Sequence, residues 1–567
     1  MICALFGVVF FGLGLHKIEH QPLSGSPLKF SGPKSHASMT ALSKGFPNRV
    51  TWSDSRRKAG AWIKNEFVRM GYSPKSMYFS ETVAGKHYTD LENIYVEKRG
   101  SRHPDEIIVA MGHYDITDTT VEGAMDDASG TAVMLELARV FAGESPDRTL
   151  IFIATDSEEF GAFWGARAFA KNFDRSRQIV AAANFDFVAP EKQVKILTLC
   201  DGLKDGYTPL WLRELALDSI ASIDESLVLD FTNFMEHIER SLEIPAADHG
   251  PFLAEGIPAF NWTGQTANFA HEMAHYHHTP SDVAEAMRPE SFDVYGRAAE
   301  RLIRSVDELP TIPSDFRNSS YWKVSKGFYI DGWAVTVLHI LAFIPFFIYS
   351  LTKFGFVLET ESRGRVWVIF KNEAKNMGII LGSLLLGYTL LLLLPALKII
   401  TQYEIFPATQ KSLILSSPNF LAMLLVLTAV AGVYFVFKRT FTEADDSLDY
   451  FQIRHALHAA FIAVIIFLAF LKNSYLGVLL LLPPAYAWTA LRNRKSRADR
   501  LINLLLLLSG GITLIAMTFV LSTIFHLGII YWYLFLSAAY GLISAYSVVL
   551  FLMALTVMIR LFRSFVL

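Results

Sequence analysis

The chain of 567 residues is 52% hydrophobic and only 19% charged, which excludes a disordered chain and a nucleic-acid-binding tail protein. Its charge is sorted: residues 1–327 carry a net −11, whereas 328–567, with 18 Lys+Arg against 10 Asp+Glu, carry +8. A single soluble globule does not sort its residues this way, so the length reads as an acidic polar half followed by a basic, very apolar half. Two cysteines, Cys3 and Cys200, exclude a disulfide scaffold but not an extracytoplasmic location. Sequons at Asn261 and Asn318 carry almost no weight.

In chain order, residues 1–15 are apolar and read as a short membrane anchor or a signal segment. Residues 16–49 read as a linker. Residues 54–70 place apolar side chains at helical spacing and stop at Gly71. Strand-like runs then alternate with helical ones: a strand at 107–111 (IIVAM), a helix at 129–141, a strand at 150–154 (LIFIA), a helix at 160–173 and a strand within 179–185. Such alternation predicts an α/β domain over 50–310, with a mixed, mostly parallel central sheet flanked by helices. Residues 311–327 read as a second linker.

Polar residues follow each predicted strand directly: Gly112-His113-Tyr114-Asp115, then Thr155-Asp156-Ser157-Glu158-Glu159, then Asn184-Phe185-Asp186. Open α/β sheets gather ligands beyond the carboxyl ends of their strands, so these side chains are expected on one rim. Asp126-Asp127, between Gly123 and Gly130, suits a tight loop reaching that rim. A late His-rich loop runs HEMAHYHHTPSD over 271–282. Imidazole and carboxylate donors without thiolate suit catalytic Zn²⁺, and two His with three carboxylates hold two ions if one carboxylate bridges. Paired ions lower the pKa of a shared water and polarise a carbonyl, and a further carboxylate beside them serves as base.

The ordered set GHYD (112–115), DDASG (126–130), EEFG (158–161), NFD (184–186) and HHTPSD (277–282) resembles the co-catalytic di-zinc aminopeptidase family. That family includes secreted leucine aminopeptidases, aminopeptidase Y and glutamate carboxypeptidase. Asp248-His249-Gly250-Pro251-Phe252 with Gly256-Ile257-Pro258 is similar to a supporting segment of the same family. The resemblance implies that His113 and Asp186 bind one zinc, that Glu159 and His278 bind the other, and that Asp126 bridges. It implies that Asp115 orients His113, that Glu158 is the base, and that the product is a hydrolysed peptide bond at a peptide or protein N-terminus. His278 is taken as the late ligand because it precedes Thr279; His271, His275 and His277 read as surface or loop histidines. Asp127 reads as a loop-fixing or helix-capping residue and Asp156 as lying outside the site. Asp282 reads equally as a loop residue or an outer contact, and Phe163 and Trp164 as helix packing.

Beyond residue 328 the chain reads as an all-α, multi-span transmembrane domain in a lipid bilayer. Seven apolar runs are long enough or nearly so: 328–352, 377–397, 419–437, 455–471, 475–491, 501–525 and 529–561. The loops at 353–375, 438–454 and 492–500 are rich in Lys and Arg and the alternate ones are poor, which predicts those loops and the C-terminus in the cytoplasm and the peptidase-like domain outside it. Asp331, His339, His455 and His458 are noted as ionisable residues in or near spans; packing or a place near a span end is the expected role, and no transporter is indicated. The layout resembles endoplasmic-reticulum metallopeptidases and fungal vacuolar membrane proteases. A one-zinc glutaminyl cyclase-like acyltransferase and a non-catalytic receptor or scaffold ectodomain are the alternatives; no nucleic-acid partner is expected.

Overall fold

The computed structural model describes residues 7, 12, 14–83, 86–159, 163–200, 207–230, 236–237, 240–241, 243, 247–313, 321–397, 418–437, 448–493, 496–510, 538–539 and 543–565. Most of the apolar 1–15 segment and Asn318 thus lie outside the described residues. Asn261 is fully buried.

An eight-stranded sheet forms the centre of the first half. Its strands, in chain order, are β2 (Lys75–Val83), β3 (Lys86–Lys98), β4 (His103–His113), β5 (Arg148–Thr155), β6 (Ile179–Asp186), β7 (Lys195–Leu199), β8 (Val228–Asp230) and β9 (Ala259–Gln265); β1 (Leu15–Lys17) belongs elsewhere. Their spatial order is β2-β3-β5-β4-β6-β9-β7-β8. The inner four, β5, β4, β6 and β9, run parallel; β2 pairs antiparallel with β3, β3 with β5 and β7 with β9, while β8 runs parallel to β7. The mixed, mostly parallel sheet is therefore as expected.

The inner strands read as continuous apolar runs because both faces are covered. Along β4, Ile108 and Ala110 join one core, whereas Ile107, Val109 and Met111 join the other. The first core lies under α1 (Gly32–Gly45), α2 (Asp54–Arg69), α3 (Ser129–Ala142), α5 (Leu210–Ala221) and α8 (Pro289–Glu308); the second lies under α4 (Trp164–Asn172) and α6 (His249–Ala254). Ser53 caps α2 by accepting from the Arg56 N–H, and Pro289 opens α8 where its missing N–H costs nothing. A short helix, α7 (Phe269–His275), carries part of the late His-rich loop.

Two segments read as linkers are structured. Residues 16–49 contain α1, whose Met39 and Leu42 are fully buried against the first core. Residues 311–327 contain β10 (Tyr321–Ser325), which pairs with β11 (Phe328–Asp331); β11 in turn pairs with β1. The first apolar run therefore enters a strand at 328–331 before its helix begins. Short alternating strands of this kind give no periodic signal long enough to read.

The second half is helical: α9 (Gly332–Thr360), α10 (Arg363–Ala396), α11 (Pro418–Phe437), α12 (Leu448–Lys472), α13 (Leu482–Thr489), α14 (Arg497–Gly510) and α15 (Ala545–Phe565). Among the described residues, four helices are long and apolar enough to cross a membrane: Gly332–Thr360, Arg363–Leu394, Tyr450–Lys472 and Ala545–Arg563. Of the other three expected spans, the fifth gives an apolar helical run of only 14 residues, Leu476–Thr489. The third likewise gives a shorter apolar run, Leu424–Phe437, and the sixth falls partly outside the described residues. Two Lys/Arg-rich loops shrink, since α9 reaches Thr360, α10 starts at Arg363 and α12 starts at Leu448. Charged residues alone do not stop a helix. Leu351, Phe356, Phe467 and Leu471 point outward and are at least half exposed, as lipid contact would favour.

The two halves meet through polar and aromatic groups. The Arg240 guanidinium lies 3.6 Å over the Tyr207 ring and donates to the Tyr475 hydroxyl at 2.8 Å. The Asn473 amide donates to the Arg240 carbonyl at 2.7 Å, and Lys472 pairs with Glu243 at 3.0 Å. His237 stacks on Tyr475 and meets Trp322 edge-on.

Candidate metal centre

The carboxyl ends of the parallel strands deliver the site. His113 ends β4, Asp186 ends β6, and Glu158 and Glu159 follow β5 directly. All four are buried. Asp126 reaches in from the loop before α3. One of its oxygens lies 3.2 Å from His113 Nε2 and the other 3.3 Å from His278 Nε2, so the carboxylate stands between the two imidazoles. His278 Nε2 is also 2.8 Å from Glu159 Oε2, and Glu158 Oε2 is 3.9 Å from His113 Nε2.

A ring of buried groups fixes this arrangement. The Asp115 carboxylate accepts the backbone N–H of Glu158 at 3.0 Å and of Glu159 at 3.3 Å, and lies 3.5 Å from His113 Nδ1. Asp127 accepts the N–H groups of His113, Gly130 and Phe187, tying three loops together, in keeping with its loop-fixing reading. A Cβ at Gly130 would run into the Phe185 carbonyl and the Asp127 carboxylate, so only glycine fits the DDASG turn. Asp282 accepts the N–H groups of Met125 at 2.6 Å and Asp126 at 3.1 Å, which makes it an outer contact. Asp248 accepts from the Thr155 hydroxyl at 2.5 Å. Asp156 turns away from the site to Arg56 and the Glu92 N–H. Ser157, beside the predicted base Glu158, and His278, a predicted ligand, hold positive φ of 61° and 55°. Non-glycine residues there are held by their surroundings, a common mark of functional loops.

Two participants were not legible in the sequence. His277, read as a surface or loop histidine, lies with its Nε2 3.4 Å from Asp126 and its ring stacked on His278 at 3.8 Å. Neighbouring positions in an irregular loop have no fixed facing, so sequence alone does not choose between them. Arg49 is fully buried and donates to the Tyr114 carbonyl at 2.8 Å and the Gly123 carbonyl at 2.6 Å, bracing the loop that leads to Asp126. No motif marks it. His271 and His275 are exposed, as expected.

The electrostatics follow from burial. Burial pushes the Glu158 carboxyl well above the usual range, and the charges of Glu159, Asp248 and Asp186 reinforce it against the pull of His113. Burial likewise raises Asp186, Asp127 and Glu159, with neighbouring carboxylates adding to it. Asp126 moves the other way: burial would raise it, but His113, His277 and His278 outweigh that. His113 and His278, which burial alone would lower, are raised by the carboxylates. Burial and the His278 charge pull His277 down to about 3.

This crowding of negative charge fits a divalent cation. Asp186 Oδ1 is buried and has no hydrogen-bond partner among the described residues. Three sets of donor atoms each lie within 4.8 Å of one another: Asp126, His277 and His278; His113, Asp126 and Glu159; His113, Asp127 and Asp186. The donors are imidazole nitrogen and carboxylate oxygen, the set that Zn²⁺ takes in catalytic sites.

Comparison with known proteins agrees with this chemistry. Residues 93–303 match Peptidase family M28. A probable zinc metalloprotease of Leptosphaeria maculans is 27% identical over 244 residues, 37% of this chain and 52% of the relative. A probable zinc metalloprotease of Pyrenophora tritici-repentis is 37% identical over 202 residues, 33% of this chain and 42% of the relative. The chain thus spans about half the length of the curated relatives it matches. Among solved structures, a zinc aminopeptidase from Bacillus subtilis is 16% identical, with a TM-score of 0.42 over 51% of this chain and 100% of that one. A glutaminyl cyclase from Porphyromonas gingivalis is 19% identical, with a TM-score of 0.41 over 49% and 98%.

Proposed function

We propose that this chain is a membrane-anchored zinc metallopeptidase that releases N-terminal residues from peptides or proteins on the non-cytoplasmic side, using two Zn²⁺. The observation that carries the reading is the Asp126 carboxylate standing between His113 and His278, with Glu159 on the second imidazole and Asp186 near the first. In this reading His113 and Asp186 hold one ion, Glu159 and His278 the other, and Asp126 both. The ions supply a water of lowered pKa and a polarised substrate carbonyl.

The chain's own groups do the rest. Glu158 takes a proton from the attacking water and returns it to the leaving amine; a carboxyl raised above its ordinary range by burial suits a group that must both accept and release a proton. Asp115 keeps the Glu158-Glu159 turn in register by accepting both backbone N–H groups, and it orients the His113 ring. The outside placement of the domain and a cytoplasmic C-terminus rest on the alternation of Lys and Arg along the second half.

The test uses the full chain in detergent, with and without Glu158→Gln. Expected are two zinc per chain in both proteins, cleavage of free but not blocked N-termini, and turnover falling about 10²–10⁴-fold in the variant. Cleavage only from the far end would make it a carboxypeptidase. One zinc without hydrolysis would favour the cyclase-like reaction, and no metal with no turnover a binding ectodomain.

A further inference from the structure

The late loop contains a second metal-binding pattern that the proposed centre does not use. Residues 271–275 read HEMAH. Two histidines four apart on a helix present their imidazoles to one side, a spacing that chelates zinc.

The local structure realises that spacing and separates it from hydrolysis. The Asn268 side chain caps α7 by accepting the His271 N–H at 3.2 Å. His271 and His275 are both exposed, and their rings lie nearly parallel, 12° apart, with centroids at 5.2 Å. The Tyr276 ring meets His275 edge-on at 4.7 Å, and its hydroxyl donates to Glu191 at 2.8 Å, which steadies that side of the pair. Glu272, which would serve as base if this were a hydrolytic HExxH helix, is fully buried instead. It accepts the Thr266 N–H at 2.7 Å, so it pins the helix with both histidines turned outward. His277 and His278, only two and three residues further on, turn inward to Asp126. Among the described residues, none of the three-donor sets of the buried centre includes His271 or His275.

We propose that His271 and His275 chelate a further Zn²⁺ at the surface, with water completing a tetrahedral shell. Its two-imidazole donor set, open to solvent, makes it weaker and more rapidly exchanging than the buried centre. It has no hydrolytic role, because the neighbouring carboxylate faces the core. The inference rests on α7 alone and does not depend on the assignment of the buried ligands.

The experiment compares the full chain in detergent with the His271→Asn/His275→Asn variant. Both are dialysed against rising free zinc, and metal per chain is measured. The wild type should take up one zinc more than the variant at high free zinc, while the tightly held complement and turnover at limiting zinc stay equal. Replacing zinc by Cu²⁺ should tighten the extra site, as the metal affinity order requires. A second readout needs no variant: zinc should protect His271 and His275 from diethyl pyrocarbonate, scored by peptide mass. Equal zinc uptake in both proteins, or labelling of the pair that zinc does not change, would overturn the proposal. The readout is a difference between two proteins sharing one buried centre, so failure of the peptidase reading leaves it intact.

Discussion

In the α/β half, Asp126, Asp127, Glu158, Glu159 and Asp186 crowd around His113 and His278 with no buried guanidinium or ammonium hydrogen-bonded to them among the described residues. In the helical half, the buried carboxylate has a guanidinium paired with it. Glu373 on α10 accepts two bonds from Arg560 on α15, at 2.8 and 2.7 Å; His458 on α12 lies 3.2 Å away and Arg454 3.9 Å away. All four side chains are 3% exposed or less. A buried charge is tolerable only when matched, so the two clusters call for different readings. The matched cluster joins three helices and is complete as protein. The unmatched one destabilises the fold until a cation enters it. Buried charge alone does not mark a catalytic site; a surplus of buried carboxylates without a guanidinium or ammonium partner does.

The matched cluster should be the more sensitive to loss of a single member. Glu373→Leu leaves Arg560 buried against apolar groups and should lower stability by about 3–5 kcal/mol. Glu373→Leu/Arg560→Leu should regain part of that loss. Thermal unfolding of the full chain in detergent checks both; a double variant no more stable than the single one would show that the pair is not the unit that matters.

How far the sequence foretold each region follows the same division. His113, Asp115, Asp126, Glu158, Glu159 and Asp186 were legible because each follows an apolar strand run or sits in a glycine-flanked loop, and strand ends are where an α/β sheet exposes polar groups. β4, β5 and β6 were legible because both faces are buried. The β2–β3 hairpin, rich in charged residues, and the three short strands β1, β10 and β11 were not, since neither gives a clear period. Glu373 and Arg454 fall in segments that read as loops, for a physical reason. Their Lys/Arg-rich surroundings resemble loops, yet the helices continue through them and turn these side chains inward. His277 and Arg49 depend on loop geometry that no local pattern encodes.

The junction between the halves offers a medium effect with a pH signature. His237 stacks on Tyr475 with ring centroids 5.8 Å apart, and burial, helped by Arg240 and Arg213 against Glu236, pulls it down to about 4 from 6.5. The unfolded chain therefore binds the extra proton between pH 6.5 and 4. Stability should rise with pH through that window and fall by up to about 3 kcal/mol as pH drops across it. His237→Leu should flatten this part of the pH profile of Tm. An unchanged slope would separate the junction from acid sensitivity.

The smallest effect is the most discriminating, because it reverses sign between metal-free and metal-loaded protein. Burial and the Asp126 charge raise the Asp186 carboxyl, against the pull of His113, so without metal the folded state holds this proton more tightly than the unfolded state. The metal-free fold should then lose stability as pH rises from the ordinary carboxylate range toward the raised value. Asp186→Asn removes the ionisable group while keeping the shape. Near neutral pH it should stabilise the metal-stripped protein, because the raised carboxyl no longer has to ionise in the fold. With zinc present the same substitution should destabilise, because a ligand is gone and less binding energy is linked to folding. Differential scanning calorimetry of both proteins, stripped and loaded, reads the two signs directly. Destabilisation in both states would mean that Asp186 is matched in the fold as Glu373 is, and the surplus-charge reading of the centre would fall.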